Sequence, residues 1–201
     1  MEKQVLEIPR IGRLPAGPLD SICDVGDVTV GHCTLSEGAL QTGVTVVRAH
    51  GGDPYLDKTP AAATVLNGFG KSTGLVQVQE LGVLETPIGL TNTFGVGTVA
   101  NAQIRAAVAA NPEIGRGMAT VNPLVFECND GYLNDIQALA VQEAHYAQAL
   151  AAAGDLPAVQ RLQWFNHGFM RTQVRDAVVV ERDRLPGLRA GHHVDLRRSV
   201  E

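Results

Sequence analysis

Apolar and β-branched residues fall in short runs separated by turn formers, with two alanine-rich stretches between them. "ICDVGDVTVGHCTL", Ile22 to Leu35, alternates apolar and polar positions about Gly26 and Gly31 and predicts two short strands with a turn. "TGVTVVRA", from Thr42, is a β-branched run suited to a central strand. "HGGDPYLDKTPAA", from His50, is dense in turn residues and reads as loop. "LGVLETPIGLTNT" predicts a strand ending at Thr91 or Asn92. In "VGTVANAQIRAAVAAN" the apolar and alanine positions recur at helical spacing until Asn111-Pro112 stops them. "GMATVNPLVFE" returns to strand, and "LNDIQALAVQEAHYAQALAAAG" predicts a second helix with Gly154 as its C-cap. Strands and helices mix without strict βαβ alternation, which predicts a layered α/β fold with mixed sheets.

Composition narrows the class. The chain has 201 residues, 45% hydrophobic and 18% charged, enough to bury a core and unlike a disordered chain. A net charge of -5 and a pI near 5.7 argue against nucleic acid or an anionic membrane as partner. No apolar run reaches the roughly 18 residues of a spanning helix. The opening "MEKQVLEIPRIGRLPAG" lacks the apolar stretch of a secretory signal, so a cytoplasmic location is expected. Cys23, Cys33 and Cys128 show no C-x-x-C spacing and read as reduced, packed thiols.

The texture changes near residue 160. From Arg161 to Glu201 there are eight arginines and no lysine, so residues 1–160 and 161–201 are taken as separate regions. The second region reads either as an Arg-rich surface helix and strand or as a non-native terminus.

Several segments offer chemistry. "NGFGKSTG", from Asn67, approaches the phosphate-loop pattern, but the first glycine of that pattern is Val65 here. It reads as a glycine-rich turn or a pocket wall. His32, His50, His145, His167, His192 and His193 form no H-E-x-x-H spacing, and no metal or other cofactor is expected. No G-x-S-x-G elbow is present. "TNTF", Thr91 to Phe94, puts Asn92 between a strand and a helix, either as a cap or as an amide aimed at substrate. "FECNDGYLND", Phe126 to Asp135, contains an Asn-Asp-Gly turn, and Asn134 or Asp135 can cap the helix predicted after it. The turn leaves Glu127 and Asn129 unexplained. A carboxylate ending a buried strand is costly unless paired or poised for chemistry.

The order "PLDSICDVGDVTVGHCTL", "QTGVTVV", "HGG", "DKTPAAATVLNGFGKSTGLVQVQELGVLETPIGLTNTFGVG" and "VNPLVFECNDGYLNDI" resembles the DmpA/BapA family, over roughly Leu19 to Leu150. These are D-aminopeptidases and β-peptidyl aminopeptidases, with nylon-oligomer hydrolases as relatives. The resemblance implies an α-β-β-α sandwich and a self-processing N-terminal-nucleophile hydrolase. A precursor cuts itself into α and β chains, and the new terminal serine or threonine attacks the substrate. Its own α-amine, with a pKa of about 7.7–8.0, can act as general base. The resemblance further implies oxyanion donors among Asn92, Asn129 and Asn134, and amine recognition or support of the nucleophile by Glu80 and Glu127. Tyr132 would orient either group. Peptides or amino-acid amides would be the substrates and a homo-oligomer the assembly.

One departure stands out. The glycine-rich "GGIGTSS"-like stretch that carries the family's nucleophile has no counterpart, and "LPAVQRLQWFNHGFMRTQVRD" stands in its place. Ser199 and Thr172 sit in no such setting. The chain as written is therefore expected to supply a pocket wall and to need a missing β chain. The alternatives are an inactive or partner-dependent subunit, and a small-molecule or nucleotide-binding module built on "NGFGKSTG".

Overall fold

A computed structural model describes residues 15, 17–19, 21–65 and 68–154, and the backbone alone of 176–180. Thr172, Ser199, His167, His192, His193 and most of the Arg-rich region lie outside the described residues.

Two sheets form the frame. The larger runs β1 (Thr29–Glu37), β2 (Leu40–Arg48), β5 (Ile88–Asn92), β6 (Leu124–Cys128) in that spatial order. Its pairs are antiparallel except β5 with β6, which are parallel. The smaller sheet orders β4 (Val83–Leu84), β3 (Thr59–Val65) and β7 (Asp176–Val180), all antiparallel. Helices α2 (Val96–Ala110) and α3 (Glu143–Ala151) cover one face of the larger sheet. Val44, Val46 and Val125 meet Val96, Val99, Tyr146 and Ala149 there. The other face packs against the second sheet and α1 (Leu75–Leu81) through Val30, Val47, Ile88, Leu124, Phe126, Val78 and Leu84. This is the layered α/β arrangement with mixed sheets.

Burial on both faces explains the β2 sequence. Its residues Thr42 to Val47 are all buried, as expected of a strand with a layer on either side. Gly31 on β1 is required by the helix layer, because a Cβ there would lie 2.0 Å from the Ala149 carbonyl oxygen. The same contact is closed by paired bonds between Val30 and Gly154. Gly154 thus bridges to β1, while Ala152 caps α3.

Other elements depart from the pattern reading. The first predicted strand is a 3₁₀ turn, Ile22–Asp24, because Ser21 and Asp24 form a reciprocal capping box. A single strand, β1, then runs to Glu37 and turns through Gly38 (φ +56) into β2. The predicted loop after His50 ends at Lys58, and Thr59 begins β3. The second long helix is only Glu143–Ala151. Before it, Ile136–Ala138 forms a 3₁₀ turn ended by Leu139 at φ +48. Helix α1, which the glycine-rich approach concealed, ends at Gly82 with φ +67.

Candidate active site

β5, α2 and β6 form a βαβ unit, and the parallel register sets Thr91 beside Glu127 and Asn92 beside Cys128. Two polar strand ends, "TNT" and "ECN", are thereby brought together. Gln103 of α2 fixes the unit by donating from Nε2 to the Pro87 and Leu124 carbonyls, at 2.7 and 3.2 Å.

Glu127 is buried, with 7% of its surface exposed. Its Oε2 accepts from the Thr93 hydroxyl at 2.5 Å, and its Oε1 from the Lys71 amide N–H at 3.3 Å. Both donors are neutral. Among the described residues no cationic side chain pairs with this carboxylate. The other buried strand-end glutamate, Glu85, differs: its Oε2 takes Lys58 Nζ at 3.4 Å and its Oε1 accepts from the Asn122 backbone N–H at 2.7 Å.

The glycine-rich segment is the wall beside Glu127. Thr73 pairs with Val125 through two backbone bonds of 3.0 and 3.1 Å, on the edge of β6 away from β5. Gly74 makes that approach possible: φ is +90, and a Cβ would lie 2.2 Å from the Pro123 carbonyl oxygen. Lys71 Nζ turns back to the Phe69 carbonyl at 2.7 Å and lies 3.6 Å from the Phe69 ring centroid. The described part of the segment thus lies along β6 with its lysine folded back on Phe69, and among the described residues its Thr73 amide is spent on β6 and its Lys71 amide on Glu127.

The three asparagines differ in what their amides do. Asn92 is buried, caps the 3₁₀ turn Thr93–Gly95 by accepting from Gly95 N–H at 2.7 Å, and donates to Thr42 Oγ1 at 3.1 Å. Asn134 is buried, accepts from Gln41 N–H at 3.0 Å and donates to Asp130 at 3.1 Å, pinning the turn to β2. Asn129 is exposed, and its Oδ1 accepts from Gly131 N–H at 3.0 Å. Among the described residues its Nδ2 donates to no group. Asn129 follows Glu127 by two positions, the spacing that keeps side chains on one face of an extended chain. Tyr132 stands on the same turn with 88% of its surface exposed. Glu80 is exposed on α1, a separate element from the strand ends.

Residue-type reading missed Thr93, Thr42 and the Lys71 backbone. A signal was present in the triplet "TNT", since strands joined by one helix pair in parallel and bring their C-terminal ends to the same side. Among the described residues no three His, Cys, Asp or Glu side chains converge as metal ligands, and no helix is long and apolar enough to cross a membrane. A groove of about 530 Å³ between α2 and α3 is lined mainly by alanines and shares no residue with this site.

The profile of peptidase family S58 matches residues 20–161. The chain belongs to peptidase family S58. It is 33% identical to beta-peptidyl aminopeptidase BapA of Sphingosinicella xenopeptidilytica over 153 residues, covering 72% of this chain and 38% of that protein. Among solved structures it is similar to a Burkholderia sp. beta-aminopeptidase, with 42% identity and a TM-score of 0.68 over 74% of this chain and 42% of the other. It is also similar to the L-aminopeptidase D-Ala-esterase/amidase of Ochrobactrum anthropi, described as a variant of the Ntn hydrolase fold. That match has 29% identity and a TM-score of 0.65 over 75% of this chain and 44% of the other. The S58 chain thus spans 38% to 44% of the length of these relatives. The family is one of aminopeptidases, and the layered fold agrees with its solved members.

Proposed function

We propose that this S58 chain forms the substrate-facing wall of an aminopeptidase of the self-processing N-terminal-nucleophile kind, acting on peptides or amino-acid amides. The observation that carries this is Glu127, a buried carboxylate held by two neutral donors and lacking a cation among the described residues. A buried charge of this kind is costly when unpaired. The α-ammonium of an aminopeptidase substrate supplies the missing positive charge.

Asn129 is the preferred oxyanion donor, since the Asn92 and Asn134 amides already donate within the fold. A well-aimed amide of this kind is worth about 10²–10³ in rate. Tyr132 rims the site. Glu80, exposed on α1, has the weaker claim to a role in substrate binding. The nucleophilic serine or threonine and its α-amine would come from polypeptide beyond the described residues, in a β chain or a family-like partner. The assembly would be a homo-oligomer.

The test is binding of alaninamide to the full chain, monitored by NMR. Alaninamide should bind, N-acetylalaninamide should not, and Glu127→Gln should abolish binding. Equal binding of the acetylated and free amines would remove Glu127 from amine recognition. Hydrolysis of alanyl p-nitroanilide should appear only when the nucleophile-bearing polypeptide is supplied.

A further inference from the structure

Glu127 has two hydrogen bonds of unequal quality. The Thr93 hydroxyl lies 2.5 Å from Oε2, while the Lys71 N–H lies 3.3 Å from Oε1, near the limit for such a bond. A carboxylate offers about four acceptor positions, so Oε1 keeps room for another donor. The terminal torsion of glutamate is broad, and an unanchored carboxylate would spread over many orientations.

Thr93 is itself firmly placed. It opens the 3₁₀ turn that Asn92 caps through Gly95 N–H, and Gly95 packs so closely that a Cβ would lie 2.7 Å from Thr91 Oγ1. Its β-branched side chain has few accessible χ1 states. The hydroxyl is therefore presented from a turn with little freedom, across the β5–β6 ends.

We propose that Thr93 is the positioning residue of the Glu127 carboxylate. Its hydroxyl fixes Oε2, which aims Oε1 at the Lys71 N–H and at the space an ammonium ion enters. The functional meaning rests on Glu127 as the ammonium acceptor, whereas the orienting role can be measured without a ligand.

The experiment compares Thr93→Val, which keeps the shape, with Thr93→Ser, which keeps the hydroxyl, in the full chain. Amide hydrogen exchange is measured at Lys71 and at the bridge amides of Thr73 and Val125. In Thr93→Val, Lys71 should exchange about tenfold faster, the effect of losing one hydrogen bond, while Thr73 and Val125 stay unchanged. Thr93→Ser should restore slow exchange at Lys71. Alaninamide affinity should fall about tenfold in the valine variant and return in the serine variant. Thr93→Ala serves where valine is not accommodated.

Unchanged Lys71 exchange in Thr93→Val overturns the proposal. Equal acceleration at Lys71, Thr73 and Val125 also overturns it, because that reports general loosening. If alaninamide does not bind the wild type while Lys71 responds selectively, Thr93 still positions Glu127 and only the ammonium reading fails.

Discussion

The Thr93 hydroxyl and the Glu127 carboxylate meet at 2.5 Å, joining the turn after β5 to the end of β6. Two polar residues 34 positions apart in sequence are thus made neighbours by one parallel strand pair. The contact holds a buried carboxylate that no cationic side chain among the described residues pairs with, the feature on which the proposed binding of a substrate ammonium rests. Replacing Glu127 by leucine would fill the space and remove a buried carboxylate that has no cationic partner among the described residues. Stability should stay level or rise by about 1 kcal/mol while amine binding disappears. Urea unfolding alongside an NMR titration with alaninamide measures both. A marked loss of stability would mean that the carboxylate serves the fold.

Asn134 should behave as a structural residue. Truncation to alanine strands the buried Asp130 carboxylate and the Gln41 N–H, at a cost of about 1–3 kcal/mol. Asn129→Ala, on an exposed side chain, should change stability by less than about 0.5 kcal/mol. Thermal unfolding of the two variants separates them, and equal losses would contradict the assignment.

Gly31 bears the α3 terminus on its backbone. Gly31→Ala pushes a methyl against the Ala149 carbonyl and the Ala153 N–H, contacts of 2.0 and 2.6 Å that backbone must relieve. Overpacking of this sort costs about 1–3 kcal/mol. The melting temperature should fall, and the Val30–Gly154 amides should exchange faster than those of β5.

Asp53 gives the fold an acid-sensitive joint. Burial pushes its carboxyl up, but the Asn111 side chain, the Tyr55 and Leu56 N–H groups and His50 outweigh it and hold the carboxyl below its ordinary value. A depressed carboxyl adds stability above its unfolded value of about 3.9, lost as pH falls through the folded one. The stability gap between wild type and Asp53→Ala should be constant near neutrality and shrink below about pH 4. A gap that does not change down to pH 2 would exclude this role.

Cys33 should be a slow thiol. Burial pushes its pKa up, and its Sγ donates to Gln148 Oε1 at 3.1 Å. Thiolate is the reactive form, so alkylation at pH 8 should run at least about tenfold slower than for an exposed cysteine. Mass spectrometry of the iodoacetamide-treated native chain gives the rate, and labelling as fast as in urea would refute it.

The sequence by itself determined the periodic elements and the family. β2 and α2 could be read from their runs because β-branched residues fit a sandwiched strand and alanine-rich spacing fits a helix wherever they sit. Glu127 could be singled out because a charge closing an apolar strand conflicts with its local surroundings. Tertiary structure decided the rest. Short-range pattern could not foresee that Ser21 and Asp24 would close a 3₁₀ turn, or that Leu139 would break the helix predicted from Leu133. Nor could it tell three asparagines apart, since residue type says nothing of the partner across a strand or turn. Asn92 donates to Thr42 and Asn134 to Asp130, while the exposed Asn129 has no acceptor for its Nδ2 among the described residues, and only the folded chain supplies these differences.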